Sequence, residues 1–533
     1  MSDHGIGSDD RVRRATIGDQ LQRHARRSPD KTALIFYKAD GSRSTTTYGE
    51  LNDRAARLAT ALAELGVRRG DVVAGMSRNN PDYVAAYYAA LKLGAAFTGV
   101  NFTFKKAETL YQLNHAAPKV LVVENLFAEV AAQAVDEAEA PPRVVRFGDS
   151  RDLPRDWLSF VELLASRAPG ASPDVDVSES DIAMLVYTSG TEAFPKGVMI
   201  PHRNYLMSTT PAWMGSLGIN PDDVWLFLMP FHTIAGLGSM TTLTVVGATL
   251  VLVEALQPAD ALRMIATERV TIVAQTPTFY LQMMQLPEFA NADLSCLTRC
   301  MTYGGLVPRA MIDTYRHVAP GLVWGTYWGQ SELSQLGSVG WFSSLDDIPG
   351  EDPSWIGRAV PQLEVRVVDD EGNDVEEGEL IARSPSVMAG YYKDPEKTAS
   401  VVRDGWLHTG DLVRRDDEWN LFFVDRKKDM IKTGGMNVSS VEVERAIYGF
   451  EGVLQVAVVG LPDEYWSEAV IAFVVPQPGA ELDPQAIISD CKESIAGFKV
   501  PKRVEIVEDL PKDTQGKILK RELRRQFERP ASR

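Results

Sequence analysis

Apolar residues along the first third of the chain recur in two alternating rhythms. Over residues 46–65 they return at helical spacing, and Gly66 and Gly70 bracket a turn into a short apolar run at 72–76. Residues 81–93 predict a second helix and 120–123 a short buried strand. Strand–turn–helix alternation of this kind predicts an α/β fold with mostly parallel strands. The charged, proline-containing stretch 138–155 is expected to cross the surface. Residues 224–253 carry no Asp, Glu, Lys or Arg and are long enough to span a bilayer. Pro230, His232, three glycines and several threonines divide them instead into strand, loop, helix and strand, as core.

The final third changes character. Residues 365–369 and 378–381 predict strands separated by turns such as Asp370-Glu371-Gly372. A compact charged run at 425–429 (DRKKD) follows the apolar 421–424. Beyond it the pattern predicts a helix at 441–449, strands at 453–459 and 470–475, and a helix at 484–494. Asp483 is the expected N-cap of that last helix, with Pro484 at its first position. This is a small α+β unit, and the domain boundary is placed at the charged run.

Composition narrows the class. The chain has 533 residues, 45% hydrophobic and 24% charged, which excludes a wholly disordered or fibrous protein. A net charge of −17 argues against broad nucleic-acid binding, which leaves a basic footprint. Cys296, Cys300 and Cys491 are too few and scattered for a disulfide framework, and their number suits a reducing cytoplasm. The first residues lack the apolar stretch of a signal peptide. The expectation is a cytoplasmic protein without a transmembrane segment.

The sharpest local signal is the segment 187–197 (YTSGTEAFPKG), which follows the apolar 182–186. A buried strand there empties into a loop of hydroxyls and a lysine. Thr188, Ser189, Gly190, Thr191 and Lys196 supply hydroxyls, backbone N–H groups and an ammonium, the parts of a phosphate cradle. It is not a Walker A loop, because Pro195 precedes Lys196 and has no N–H to donate. A plain surface turn is the alternative.

Taken with later motifs, this loop resembles the phosphate loop of the adenylate-forming superfamily. That superfamily includes acyl-CoA synthetases, nonribosomal peptide adenylation domains and firefly luciferase. The resemblance runs from about Tyr48 to Arg524. Residues 328–332 (WGQSE) are similar to its aromatic-Gly-x-Thr-Glu element, and 405–411 (GWLHTGD) to its ribose-binding aspartate motif. Residues 378–380 (GEL) and 388–392 (MAGYY) match the segment before the ribose site. Residues 425–429 and 431–435 (IKTGG) match its hinge and the loop beyond, and 510–517 (LPKDTQGK) its C-terminal catalytic lysine motif.

The resemblance implies a large, multi-subdomain N-terminal adenylation domain (1–425), a hinge (426–429) and a small C-terminal α+β domain (430–533) that rotates. It implies ATP and CoA as co-substrates and Mg2+ as cofactor, with Glu332 anchoring the metal. Lys517 is implied as the point charge reaching both the acid and the α-phosphate. Ser189, Gly190, Thr191, Glu192, Lys196 and Ser331 fall in the nucleotide-binding motifs with Thr188. Asp411 and Arg426 are expected on the ribose, and Tyr327 and Trp328 on adenine beside the Gly304-Gly305 turn, with plain core the alternative for Trp328. Lys428 falls at the hinge position and Lys432 at a lysine used in the second half-reaction. Gly434 and Gly435 are expected to line a pantetheine tunnel. His232 is either a satisfied core histidine or, by resemblance, a group between the acid pocket and the thiol tunnel.

Some positions depart from the family pattern. Trp328 stands where tyrosine is usual, Glu192 and Ala193 replace Thr-Gly, and Met436 replaces a glutamate. Trp419-Asn420 replaces Gly-Tyr, and Asp513 and Gln515 alter the approach to Lys517. The acid pocket is expected from 235–244, 279–284, 304–306 and 328–335, whose one charged side chain is Glu332. The expectation is therefore an ATP-dependent acid–CoA ligase for an apolar acid, whether fatty, aryl or polycyclic. An adenylating enzyme that passes acyl-AMP to a carrier protein or separate thiolating enzyme is one rival, and a non-catalytic nucleotide-binding homologue another. A homodimer stays open. The last residues, from 510 on, hold eight Lys/Arg against three Asp/Glu. They either steer phosphates or form a solvated amphipathic helix.

Overall fold

The computed structural model describes residues 14–148, 157–170, 173–188, 195–254, 257–303, 309–463, 465–514 and 516–527. Among them, four sheets carry the architecture. An eight-stranded sheet is built on Val72–Met76, Ala96–Val100 and Val120–Glu124, which run parallel, with Ile182–Thr188 beside them. A nine-stranded sheet is built on Thr32–Tyr37, Val224–Phe227, Thr249–Val253, Ile272–Gln275, Arg299–Thr302 and Val323–Trp328, again parallel. Strands covered on both faces need no polar alternation, and Val72–Met76, Ala96–Val100 and Val120–Glu124 are buried at every position.

Two helices fill the space between these sheets. Pro81–Lys92 starts at Asn80, whose side chain accepts from Asp82 N, with Pro81 in the first turn where a missing N–H costs nothing. It is buried almost all round, as is Ile234–Val246, and Tyr87 Oη meets Thr241 Oγ1 at 2.7 Å between the two. An all-round apolar helix is stable only inside a core. Arg78 ties the two sheets together by pairing with Glu124 at 2.8 Å and Glu254 at 2.6 Å.

The third sheet is antiparallel and carries Glu364–Val368, Glu377–Arg383, Trp406–Arg415 and Leu421–Arg426. The fourth begins at Ile431–Thr433 and takes in Met436–Val438, Val453–Asp463, Ser467–Pro476 and Arg503–Ile506. None of its described strands pairs with the other three sheets. Helices Ser440–Tyr448 and Pro484–Ser494 lie with it, the latter capped by Asp483 as the sequence predicts. The large α/β body and the smaller α+β unit match the expected fold class.

One expectation is corrected. The stretch expected to cross the surface contains a buried strand, Arg143–Phe147, parallel to Val120–Glu124. Its apolar positions, Val144, Val145 and Phe147, are few enough to be hidden by flanking prolines and arginines. Of the basic residues from 510 on, Lys512 pairs with Asp509, Lys520 with the half-buried Glu444, Arg524 with Asp429 and Arg525 with Glu522. The helix Lys520–Phe527 buries Leu523 against the sheet.

Candidate active site

The strands that flank the loop expected to cradle phosphate are paired with each other. Ile182–Thr188 runs antiparallel to Lys196–Pro201, and Thr188 stands opposite Lys196 in the register. Ser189, Gly190, Thr191 and Glu192 lie outside the described residues, as do Gly304 and Gly305. Lys196 Nζ sits 5.6 Å above the ring of Tyr391, and Tyr391 Oη donates to Glu332 Oε1 at 2.7 Å. Tyr391 is in the short strand Gly390–Tyr391, which pairs with Lys196–Pro201, so backbone pairing brings Lys196 and Glu332 to one place.

Glu332 belongs to the turn between the antiparallel strands Val323–Trp328 and Ser338–Phe342. That turn is tight. Gln335 N donates to Gln330 O at 3.0 Å, and a Cβ at Gly329 would collide with the Gln335 carbonyl. Ser334 and Gln335 carry φ of 52° and 99°, strain that the surrounding bonds must hold. Ser334 Oγ donates to Ser386 O at 2.6 Å, Asn204 Nδ2 donates to Ser334 Oγ at 3.0 Å, and Met388 N donates to Glu332 O at 2.8 Å. Ser331 is buried beside Glu332.

Asp411 and Arg426 are cross-strand partners on Trp406–Arg415 and Leu421–Arg426, which is why residues fifteen apart form one pair. Asp411 is 4% exposed; Arg426 Nε approaches its Oδ1 at 3.4 Å, and Trp328 Nε1 donates to its Oδ2 at 2.8 Å. Beside its expected place at adenine, Trp328 is buried and its indole edge holds the Asp411 carboxylate. Tyr327, neighboured by Tyr303 at 5.7 Å between ring centres, keeps an aromatic surface at the end of that strand.

Cations converge on this pair. Lys428 feels Arg426, Asp411 and Lys196, and burial with Arg426 pulls its pKa below the usual lysine range. Lys517 is set among Arg426, Asp411, Asp513 and Lys428. Its pKa falls to about 8, first through repulsion by Arg426 and then through the protein packed around it, with Asp411 and Asp513 opposing. The side chain still reaches solvent, so the neighbouring charge outweighs desolvation. Gly516 lies against Thr276 of the large domain, at 3.6 Å from where its Cβ would be. The motif lysine thus stands at the Asp411–Arg426 pair, 91–106 residues away in sequence.

His232 is 8% exposed, and burial drives its imidazole to a pKa of about 3, so it is neutral. Its Nε2 is 3.1 Å from Thr514 Oγ1, and its Nδ1 has no partner among the described residues. Lys432, Gly434 and Gly435 are exposed on the hairpin Ile431–Thr433/Met436–Val438, where both glycines take positive φ. Along the expected acid pocket, Gly238 leaves room for Tyr205 Oη and Gln335 Oε1 beside the helix Ile234–Val246. Both oxygens are buried and lack a partner among the described residues.

A divalent ion here fits one carboxylate plus phosphate oxygens, the usual magnesium arrangement. Glu332 keeps one oxygen clear of the Tyr391 bond, and among the described residues no cluster of three ligating side chains competes. The structure brings Lys196, Glu332, Trp328, Asp411, Arg426, Lys428 and Lys517 together, and leaves Lys432 with Gly434 and Gly435 on a separate exposed hairpin. Tyr391 and Thr514 were missed as site residues, although both lie inside quoted motifs.

A site made of a polyanion-sized set of cations around an aspartate and a single metal-suited carboxylate asks for a nucleotide triphosphate. Comparison with known proteins agrees. Residues 21–392 match the family model described as AMP-binding enzyme, and 442–517 that of the AMP-binding enzyme C-terminal domain. The chain is 34% identical to a feruloyl-CoA synthase from Amycolatopsis sp., covering 97% of this chain and 100% of that one. It is 32% identical to a long-chain-fatty-acid–CoA ligase from Bacillus subtilis, covering 95% and 94%. An anthranilate CoA ligase solved with anthranoyl-AMP superposes with a TM-score of 0.85 at 28% identity, covering 96% and 97%. No helix among the described residues is long and apolar enough to cross a membrane. With residues 21–392 and 442–517 both matched, the chain belongs to the AMP-binding enzyme family of adenylate-forming acyl-CoA synthetases.

Proposed function

We propose that this chain is an ATP-dependent acid–CoA ligase that activates an apolar carboxylic acid as its acyl-AMP and then forms the CoA thioester. The observation that carries this reading is the gathering of Lys517, Arg426 and Lys428 around Asp411, with Lys196 next to Lys428, in a chain of net charge −17. Residues 1–425 act as the adenylation domain, 426–429 as the hinge and 430–533 as the mobile domain.

In the first half-reaction the acid's carboxylate oxygen bonds to the α-phosphorus of ATP as the bond to pyrophosphate breaks. Negative charge meets negative charge, so the barrier falls where fixed positive charge is already in place. Lys517 supplies it at the carboxylate and α-phosphate oxygens. The hairpin from Thr188 to Lys196, with Ser189, Gly190, Thr191 and Glu192, holds the outer phosphates. Glu332, oriented by Tyr391, would hold a magnesium ion, which would supply positive charge to the phosphates. Asp411 and Arg426 hold the ribose, and Tyr327, Gly304 and Gly305 face adenine. In the second half-reaction the CoA sulfur bonds to the acyl carbon and AMP departs with the bonding electrons. Turning at Lys428 takes Lys517 out and brings in Lys432, with Gly434 and Gly435 admitting pantetheine. His232 stands between the acid and the thiol.

The test is pyrophosphate release over a panel of fatty, aromatic and polycyclic acids, each with and without CoA, with products identified by mass spectrometry. A thioester formed only when CoA is present supports the ligase and names the acid class. Lys517→Ala is expected to lower acyl-AMP formation by about two to three orders of magnitude. Acyl-AMP that accumulates despite CoA would point to an external acceptor, and ATP binding without pyrophosphate release would point to a non-catalytic homologue.

A further inference from the structure

We propose that Thr514 is a positioning residue for adenylation: its hydroxyl locks the Lys517 loop onto His232 of the large domain, and its departure unlocks the imidazole for the second half-reaction. The inference rests on the reading of Lys517 as the adenylation lysine.

Three observations meet at this contact. The loop behaves as one piece. Asp513 N donates to Lys517 O at 2.9 Å, Lys517 N donates to Asp513 Oδ1 at 3.0 Å, and Gly516 N donates to Asp513 O at 3.0 Å. Gly516 takes a φ of +81°, and Lys512 bridges to Ile518 just outside. Fixing Thr514 therefore fixes Lys517, three residues on. Second, Thr514 Oγ1 lies 3.1 Å from His232 Nε2, a hydrogen bond between residues 282 apart that joins the small unit to the large one.

Third, His232 is held by its backbone and not by its ring. A Cβ at Gly99 would collide with His232 Cα, the preceding Phe231 N donates to Asn79 Oδ1 at 3.1 Å, and the following Thr233 N donates to Pro230 O at 3.1 Å. The imidazole meets Phe102 edge-on at 5.4 Å, and its Nδ1 has no partner among the described residues. Thr514 thus gives the ring a hydrogen bond that its other nitrogen lacks. When the small domain withdraws, Nε2 loses its partner too and both nitrogens of the ring are left without one, a state costly enough to favour a new side-chain orientation. The threonine hydroxyl couples where the domain stands to how the histidine points.

Thr514→Val keeps the shape and removes the hydroxyl, while Thr514→Ser keeps the hydroxyl. Acid-dependent ATP–pyrophosphate exchange reports adenylation, and single-turnover transfer from preformed acyl-AMP to CoA reports thiolation. Thr514→Val is expected to slow exchange about fivefold, the worth of one neutral hydrogen bond, with the KM for ATP little changed. Transfer to CoA should be as fast or faster, and Thr514→Ser should restore exchange. Unchanged exchange, equal slowing of both half-reactions, or failure of serine to restore would overturn the proposal.

A second readout needs no substrate. Exchange of the imidazole C2 hydrogen of His232 with deuterium, followed by mass spectrometry, should quicken in Thr514→Val and not in Thr514→Ser, with His202 as buried internal control. Equal rates in all three proteins would refute the lock even if no acid is found. Were the wild-type protein to release no pyrophosphate with any acid, the ligase reading would fail separately.

Discussion

An indole in place of the family's usual phenol gives Asp411 a fixed donor, and that alters what one residue contributes. With Trp328 Nε1 on one oxygen and Arg426 on the other, the carboxylate is aimed before any nucleotide arrives. Hydrogen bonds to a buried charge are worth about 1.5–3 kcal/mol. Trp328→Phe should therefore raise the KM for ATP by about tenfold and narrow the preference for ATP over 2′-deoxy-ATP. An unaltered preference would show that the indole acts only as packing. Lys517 gives a second test at this scale. Its pKa of about 8 lies below the ordinary lysine value, so the charged form is lost as pH rises through 8. The kcat/KM for ATP, which reports the free enzyme, should fall above about pH 8. In Lys517→Arg, which stays charged, that fall should vanish.

At the scale of elements, the site is assembled by strand pairing. Register alone sets Thr188 against Lys196 and Asp411 against Arg426, while the strand Gly390–Tyr391 carries Tyr391 to Glu332. Most of these elements were legible from the apolar rhythm, because periods of two and of three to four residues survive in any long buried strand or helix. Arg143–Phe147 was not, since three buried apolar positions among prolines and charges leave too short a pattern. The junction to the small domain has its own device. Asp425, 2% exposed, accepts from Ser440 N at 2.6 Å and Ser440 Oγ at 2.8 Å, at the start of the helix Ser440–Tyr448. An anion at a helix start that also takes two hydrogen bonds is worth about 2–3 kcal/mol. Asp425→Ala should lower the melting temperature of the small domain in calorimetry and leave the large-domain transition in place.

Across the whole molecule, a net charge of −17 surrounds a site where Lys517, Arg426 and Lys428 meet and Lys196 lies close to Lys428. Focused positive potential inside an acidic protein attracts triphosphate and is screened by salt. The KM for ATP should rise several-fold between low and physiological ionic strength, measured by pyrophosphate exchange at constant magnesium. A KM independent of salt would mean that contacts alone, not the field, set capture. This level was the least legible from sequence. The motifs named Glu332, Asp411, Arg426 and Lys517 one by one. That Trp328 bonds Asp411 across 83 positions and Thr514 meets His232 across 282 depends on chain crossings that no local pattern encodes.

Arg426 is the last residue of the strand Leu421–Arg426, two positions before Lys428 and five before the first strand of the small domain. On the proposed reading, Arg426 grips the nucleotide's sugar at the axle of the molecule, where rotation produces the least displacement. Lys517 and Lys432, farther from that axle, would then be exchanged while the adenylate stays where it was made. On that reading an intermediate that would hydrolyse if released never has to travel; the machinery travels past it.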